Sequence, residues 1–180
     1  KMLDWYGITN VQVRRTNGML TDHFDPRTRT VNLSEGVYSS TSIAAAAVAA
    51  HECGHVVQYA QGYAPVKLRS ALVPVVNFSN MTVQWVLLLG VLLVNSVPAI
   101  LWAGIALFAM TTLFSLVTLP CEINASARAV SWLSSSGIAD ERTRPMAVDA
   151  LKWAAYTYVI AAIGSIATLL YYIGIATRRR

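Results

Sequence analysis

The chain has 180 residues, of which 55% are hydrophobic and only 13% are charged. An ordinary soluble domain carries about 25% charged residues, so this composition excludes a surface that faces only water. The length allows one domain with membrane anchors but not two large domains. The net charge of +5 is spread thinly, and its one cluster, three arginines after an apolar segment, is typical of a membrane-edge anchor and argues against a nucleic-acid partner.

The first 35 residues predict a small antiparallel sheet of two or three strands. Residues 11–13 and 30–33 alternate between apolar and polar side chains, as half-buried strands do. Asn17-Gly18 is a strong turn signal, and Asp25-Pro26 starts a second turn.

A helix is predicted over residues 39–60. Candidate N-cap residues stand at 39–41, the alanine run at 44–47 has high helix propensity, and Gly62 can close the helix. The stretch HECGH, residues 51–55, lies in the second half of this helix.

Three long apolar segments follow, each of roughly 20 residues, the length at which a helix crosses a hydrocarbon core of about 30 Å. They are residues 73–95, 98–119 and 153–174. Long buried core helices are the alternative, but three of them would leave little polar surface in so short a chain. We therefore predict three membrane spans, the first two joined by residues 95–97 as a tight antiparallel hairpin.

Another helix is predicted over residues 122–136, between the second and third spans. Apolar residues follow one stripe of it, and Gly137 is its expected stop. Pro120 is expected to break the second span, so that this helix begins near Glu122 at the membrane boundary.

His51 and His55 are the residues that predict the chemistry. Four residues rotate a helix by about 400°, so both imidazoles leave one face, one turn apart, as ligands of a tetrahedral zinc ion do. Glu52 can reach a zinc-bound water without being a ligand, and zinc lowers the pKa of that water to about 7. We therefore predict one zinc ion, with Glu52 as the catalytic general base.

A solvated His-Glu-His cluster on a surface helix is the alternative. Val56, Val57 and the alanine run make most faces of the helix apolar. Imidazole and carboxylate groups in such surroundings need a partner, which favours a metal site.

A third protein ligand is required, and the sequence limits the candidates. The metzincin pattern needs Gly at position 58 and His at position 61, where this chain has Gln58 and Gln61. His23 stays open, although it lies in the turn-rich N-terminal region. Glu122 is favoured, because two spans separate it from His55 and the chain thus returns to the side that it left. A carboxylate at a membrane edge is costly unless it is paired or bound to a metal; one that caps its own helix is the alternative.

Four other side chains have an ordinary and a functional interpretation. Cys53 and Cys121 are expected to be small packing residues rather than ligands. His23 could steady a substrate or make local hydrogen bonds, and Arg128 could bind a substrate or lie at the membrane edge with its charge in water.

Several stretches of the sequence carry a resemblance to a known family. They are LTDHFDPRT at 20–28, HECGH at 51–55, QGYAP at 61–65, LRSALVP at 68–74 and LPCEINAS at 119–126. On these residues the chain resembles, over essentially its whole length, the YugP-type family of neutral zinc metallopeptidases, which are multi-span bacterial membrane proteins. The resemblance implies the fold, a membrane location and a zinc site.

A weaker similarity runs to HtpX-type membrane peptidases, whose third zinc ligand opens a Glu-x-x-Ala-Asp motif. Residues 122–126 match this motif except that Ser126 stands in place of the Asp. The similarity implies Glu122 as a metal ligand and leaves open whether position 126 supports the site.

The expected function is that of a membrane-bound zinc-dependent endopeptidase, which hydrolyses peptide bonds of proteins or peptides near the lipid bilayer by metal-activated water. An intramembrane protease of the site-2 type would need the motif inside a span and a Leu-Asp-Gly tripeptide, which the sequence lacks. A catalytically silent interaction or scaffold subunit with a structural zinc site is the alternative. Membership of a larger membrane complex stays open.

The expected location is the cell membrane, which the chain crosses several times. Eleven of the 14 Lys and Arg residues lie on the motif side of the spans and three at the C-terminus, which favours a cytoplasmic catalytic side, although the terminal cluster argues the other way.

The predicted fold is mainly α: a zincin-like catalytic helix with a small antiparallel sheet, plus three transmembrane helices. Residues 1–70 are assigned to the catalytic part and 71–120 to a transmembrane hairpin. Residues 121–152 carry the third ligand, and 153–180 form the C-terminal transmembrane helix.

Overall fold

The computed structural model describes residues 1–178 and is mainly helical. Three helices are short or of medium length: α1 (Met2–Trp5), α2 (Glu35–Tyr38) and α3 (Ile43–Ala60). Three are long: α4 (Ala64–Leu92), α5 (Pro98–Ser135) and α6 (Arg144–Thr177). The strands are β1 (Gln12–Thr16), β2 (His23–Asp25) and β3 (Thr30–Ser34). A mainly helical fold with a small sheet and three apolar helices is thereby confirmed, whereas its zincin-like character stays a prediction.

The three strands form a mixed sheet in the order β1-β3-β2. β1 pairs with β3 in parallel, and β2 pairs with β3 in antiparallel orientation. This differs from the predicted sheet, which is antiparallel throughout. The physical reason is the length of the connection: residues 17–22 join β1 to β2 as a six-residue loop and not as a two-residue hairpin turn. This loop carries the chain to the far edge of β3.

The motif helix α3 has well-defined ends. Ser42 caps its first turn, because the Ser42 hydroxyl accepts a hydrogen bond from the Ala45 backbone N–H at 3.2 Å. The cap is thus one residue beyond the predicted candidates. Gly62 follows the helix at φ +64°, a conformation that suits glycine and ends the helix as predicted.

Each of the long helices α4, α5 and α6 is long and apolar enough to cross a membrane. Large apolar side chains on them are exposed, for example Trp85 at 65%, Ile160 at 70% and Leu170 at 62%. Exposure of so many large apolar side chains would be unfavourable in water, whereas in a bilayer lipid tails would cover them. By length and composition the three predicted spans therefore have their counterparts in the structure.

The break predicted at Pro120 is wrong, because α5 continues without interruption from Pro98 to Ser135. Proline removes one backbone donor and crowds the preceding turn, but long apolar helices tolerate it when neighbouring groups satisfy the freed carbonyl. Glu122 therefore lies inside a helix rather than at its start. A carboxylate that caps its own helix is thereby excluded.

The chain divides into two compact units. The first, here called the sheet unit, comprises Lys1–Lys67 and Pro120–Tyr156; the second, the hairpin unit, comprises Leu68–Leu119 and the residues from Thr157 onward. In the sheet unit, α3 contributes to two buried clusters. One joins it to α1 and to the adjacent parts of α5 and α6, and the other joins it to α1 and β3. Apolar packing on two sides thus holds the motif helix in place.

Candidate metal centre

The imidazoles of His51 and His55 stand next to each other on one face of α3. Their ring centroids are 4.8 Å apart, and the ring planes are nearly perpendicular. Both side chains are largely buried, with 14% and 15% of their surface exposed. This is the placement that the four-residue spacing predicts.

Glu122 of α5 faces the two histidines. Its Oε2 atom lies 3.1 Å from Nε2 of His51 and 3.5 Å from Nε2 of His55, and its side chain is only 4% exposed. One ligand atom from each of the three residues lies within 4.8 Å of the other two. Two imidazole nitrogens and a carboxylate oxygen, converging in a buried place, form the His2Glu set that zinc accepts in peptidases. The donor set therefore fits zinc.

Close contact between α3 and α5 brings Glu122 to the histidines. A Cβ atom added to Gly54 would lie 2.7 Å from the carbonyl oxygen of Ala125, which is shorter than any ordinary contact. Ala125 is itself completely buried. Position 54 therefore has to be glycine for α5 to approach α3 this closely.

Gln58 fixes the orientation of His55, and its own orientation is determined by its partners. The Gln58 amide nitrogen donates to the Cys121 backbone carbonyl at 2.7 Å and to Asn124 Oδ1 at 3.0 Å. A backbone carbonyl can only accept, so the amide oxygen of Gln58 must be the atom 3.0 Å from His55 Nδ1. His55 Nδ1 therefore carries a proton, which leaves Nε2, the nitrogen that faces Glu122, as the atom that can bind a metal.

Asn124 extends this hydrogen-bonded network. Its Oδ1 atom also accepts a hydrogen bond from Nε of Arg128 at 2.8 Å. Gln58 at the centre of the network is completely buried, so the loss of any of its partners would leave a buried polar group unsatisfied. In this structure Arg128 is thus tied to the network behind His55.

His51 has an outer partner of its own in Ser126. The Ser126 hydroxyl lies 3.0 Å from Nδ1 of His51. A serine can donate or accept, so this contact orients the ring without fixing its tautomer. Position 126, left open in the comparison with the Glu-x-x-Ala-Asp motif, therefore touches a candidate ligand.

Glu52 is buried next to this cluster, with 8% of its surface exposed. Burial raises the pKa of the Glu52 carboxyl, while the His55 and His51 imidazoles act in the opposite direction. At His55, burial lowers the pKa of the imidazole, but the hydrogen bond and the negative charge of Glu122 outweigh it, and the pKa is raised. A carboxyl with a raised pKa is suited to accept and return a proton near neutral pH.

The other candidate residues lie outside the cluster. His23 is exposed on strand β2. Its Nδ1 lies 2.7 Å from the Thr21 carbonyl oxygen, and its Nε2 lies 3.2 Å from Nδ2 of Asn32. The structure does not bring His23 to the two motif histidines. Burial raises the pKa of the Cys53 thiol to about 12, so the thiol stays protonated at neutral pH. Cys121 is completely buried.

Sequence reasoning missed two contributors to this site, Gly54 and Gln58, and left the role of Ser126 open. The sequence indicated Gln58 only as a departure from the metzincin pattern, which needs glycine at this position. One signal was present, since a glutamine three residues after a histidine on a helix lies on the same face. Its partners, 63 and 66 residues further along the chain, gave no local signal.

Residues 1–177 match the family described as "Putative neutral zinc metallopeptidase", and the chain belongs to that family. Among its relatives is "Putative membrane protease YugP" of Bacillus subtilis (strain 168), which is 42% identical over 173 residues, covering 96% of this chain and 76% of the relative. No solved structure matches the chain. The resemblance drawn from the sequence motifs is thereby confirmed.

Proposed function

We propose that this chain is a membrane-bound zinc-dependent endopeptidase in which His51, His55 and Glu122 hold one zinc ion. The observation that carries the proposal is the convergence of three buried ligand atoms within 4.8 Å. Membership of a zinc metallopeptidase family supports it further. A charge pair without metal would explain the contact of Glu122 with one histidine, but two imidazole Nε2 atoms facing one carboxylate oxygen suit a shared cation better.

The residues of the site have separate tasks in this proposal. Zinc bound there would supply Lewis-acid chemistry, polarising a peptide carbonyl and making water acidic near neutral pH. Glu52 is the general base: it takes a proton from the attacking water and passes it to the leaving amine nitrogen. Gln58 and Ser126 hold the imidazoles so that Nε2, rather than Nδ1, faces the ion.

The substrates that we propose are proteins or peptides near the bilayer. Three helices able to cross a membrane follow the motif helix, and one of them carries Glu122. The relative from Bacillus subtilis is described as a membrane protease. The cell membrane is therefore the proposed location. The catalytic side is proposed to be cytoplasmic, on the excess of Lys and Arg residues on the motif side.

A scaffold subunit that keeps zinc for stability is the second candidate, because the same buried cluster would also stabilise the contact between α3 and α5. The two candidates differ in Glu52, which is not among the three converging ligands. A structural zinc site needs only its ligands, so a buried carboxylate with a raised pKa beside them favours the peptidase.

The deciding experiment compares Glu52→Gln with the unaltered chain. We expect zinc content and melting temperature to be unchanged and the hydrolysis of a casein-like or membrane-proximal substrate to fall by about 10²–10⁴-fold, the contribution typical of a general base. Glu141→Gln makes the same chemical change at an exposed position and should retain full activity. Proteolysis by the unaltered chain that persists in Glu52→Gln would assign Glu52 another role. A zinc-loaded, folded chain without any proteolysis would favour the scaffold.

A further inference from the structure

A groove of about 580 Å³ lies between α5 and α6 in the sheet unit. Its walls are the α5 residues between Ile123 and Ser135 and the α6 residues between Arg144 and Ala155. Eleven residues of helix span about 16 Å, so the groove is long enough for a single elongated ligand. Its volume lies within the range of about 300–1,000 Å³ that small-molecule sites occupy.

The lining of the groove is amphipathic. Its lining includes apolar side chains such as Val130, Val148 and Leu151, and also four serines of α5. Ser131 and Ser135 are exposed there. A ligand that fits this lining has an apolar part and several oxygen atoms that can accept or donate hydrogen bonds.

The charge of the groove has one sign. Arg144 and Lys152 are its charged members, and none of its lining residues within the described part of the chain is acidic. Neither side chain makes an ion pair among residues 1–178, and Nζ of Lys152 lies 5.6 Å from the centre of the Tyr156 ring. Two cations with hydroxyl groups between them are complementary to an anionic group with several oxygens.

The sequence around the groove indicates at what depth of the bilayer the bound anion would lie. Lys152 comes directly before the predicted third span, and Trp153 and Tyr156, which are 69% and 40% exposed, begin that span. Exposed tryptophan and tyrosine residues at the end of an apolar segment are typical of the headgroup region of a bilayer. The end of the groove next to Lys152 is therefore expected at the level of lipid phosphates, and Arg144 lies about 12 Å further out along the helix.

We propose that this groove binds the headgroup of an anionic phospholipid. Lys152 contacts the phosphate at the bilayer edge, the exposed hydroxyls of Ser131 and Ser135 hydrogen-bond the headgroup oxygens, and Arg144 contacts the outer part of the headgroup. An acidic polypeptide would neutralise the same charges, but the exposed aromatic residues Trp153 and Tyr156 close to Lys152 favour lipid. Because Ser126 both lines the groove and touches His51, the lipid would sit directly behind a candidate metal ligand.

The test uses the full chain in mild detergent, offered equal amounts of phosphatidylglycerol and phosphatidylcholine with identical acyl chains. Bound lipids are counted by native mass spectrometry. We expect the unaltered chain to retain phosphatidylglycerol preferentially. Each basic residue near a lipid surface contributes roughly fivefold in affinity, so Arg144→Gln with Lys152→Gln should weaken this binding by on the order of 20-fold.

A matched control removes the same charge elsewhere. Arg27→Gln with Arg142→Gln alters two exposed arginines outside the groove and should leave the lipid preference unchanged. Ser131→Trp fills the groove without changing its charge and should also weaken lipid binding. Zinc content, which none of these variants should alter, checks that the sheet unit is folded.

Three outcomes would overturn the proposal. The first is an undiminished preference for phosphatidylglycerol in the Arg144, Lys152 double variant. The second is displacement of the lipid by inorganic phosphate alone, which would make the groove a site for free phosphate. The third is displacement by a soluble glutamate-rich peptide that binds as tightly as the lipid, which would make the groove a polypeptide site. Lipid binding does not depend on catalysis, so these outcomes are independent of whether the chain is a peptidase.

Discussion

Two regions of this molecule bring helices together over a glycine, and they use the close contact differently. In the sheet unit a Cβ atom on Gly54 would meet the Ala125 carbonyl oxygen at 2.7 Å; in the hairpin unit a Cβ atom on Gly90 would meet Cα of Leu101 at 2.6 Å. In apolar surroundings small residues allow backbones to approach and gain van der Waals contact. Around Gly90 the close approach contributes only to the packing of the two helices. Around Gly54 it also delivers a carboxylate to two histidines.

The surroundings of the two glycines differ accordingly. Near Gly90 the buried residues are aliphatic, including Leu87, Val94 and Ile105. Near Gly54 the contact is bordered by buried polar groups, Gln58 and Glu122, whose hydrogen bonds cross from one helix to the other. A displacement of the helices should therefore affect stability alone in the hairpin unit, and metal binding as well in the sheet unit.

The largest effect is expected for Glu122→Ala. This change removes the oxygen that faces both imidazoles and leaves a pair of histidines, which bind zinc weakly. Zinc affinity, measured by competition with a chelator, should fall by more than the roughly 10–100-fold that loss of an outer contact costs. Asp149→Ala, at an exposed position, is the control. Zinc affinity that survives Glu122→Ala would mean that another residue is the third ligand.

Gly54→Ala should have the next largest effect on zinc. The added methyl group cannot fit beside the Ala125 carbonyl, so α5 must move away from α3 and take Glu122 with it. We expect a loss of zinc affinity of about tenfold or more, because the ligands remain but their spacing changes. A structure of the variant with α3 and α5 unmoved and zinc affinity intact would contradict the role given to this glycine.

Gln58→Leu tests the orientation of a single ligand. Leucine nearly preserves the volume but removes the acceptor for His55 Nδ1–H and the donors to the Cys121 carbonyl and Asn124. Zinc affinity should fall by about 10-fold, at the lower end of the range for outer contacts. Gln61→Leu makes the same change at an exposed position three residues on and should have no effect. Equal zinc affinity in both variants would show that His55 needs no such support.

Much of this arrangement could be predicted from the sequence, because its signals are local or follow from counting spans. The spacing of His51 and His55 on a helix fixes their common face, and the count of two predicted spans between His55 and Glu122 predicts that both lie on one side of the membrane. Contacts between distant segments could not be predicted this way. The placement of β1 beside β3, the partners of Gln58 and the uninterrupted passage of α5 through Pro120 depend on tertiary packing, which local propensity does not encode.

Gly90→Ala should have the smallest effect on zinc and completes the comparison. The added methyl group would overlap Cα of Leu101 at least as much as the one on Gly54 overlaps the Ala125 carbonyl oxygen. Overpacking of this kind typically costs about 1–3 kcal/mol, and thermal unfolding in detergent should show a loss of that order. Zinc affinity should stay that of the unaltered chain, because no member of the His51, His55 and Glu122 cluster belongs to the hairpin unit. Measured together, the two alanine variants separate a general cost of tight helix packing from a specific cost to the metal centre. If Gly90→Ala lowered zinc affinity as much as Gly54→Ala does, zinc binding would depend on the stability of the whole chain, and the close contact at Gly54 would have no special part in it.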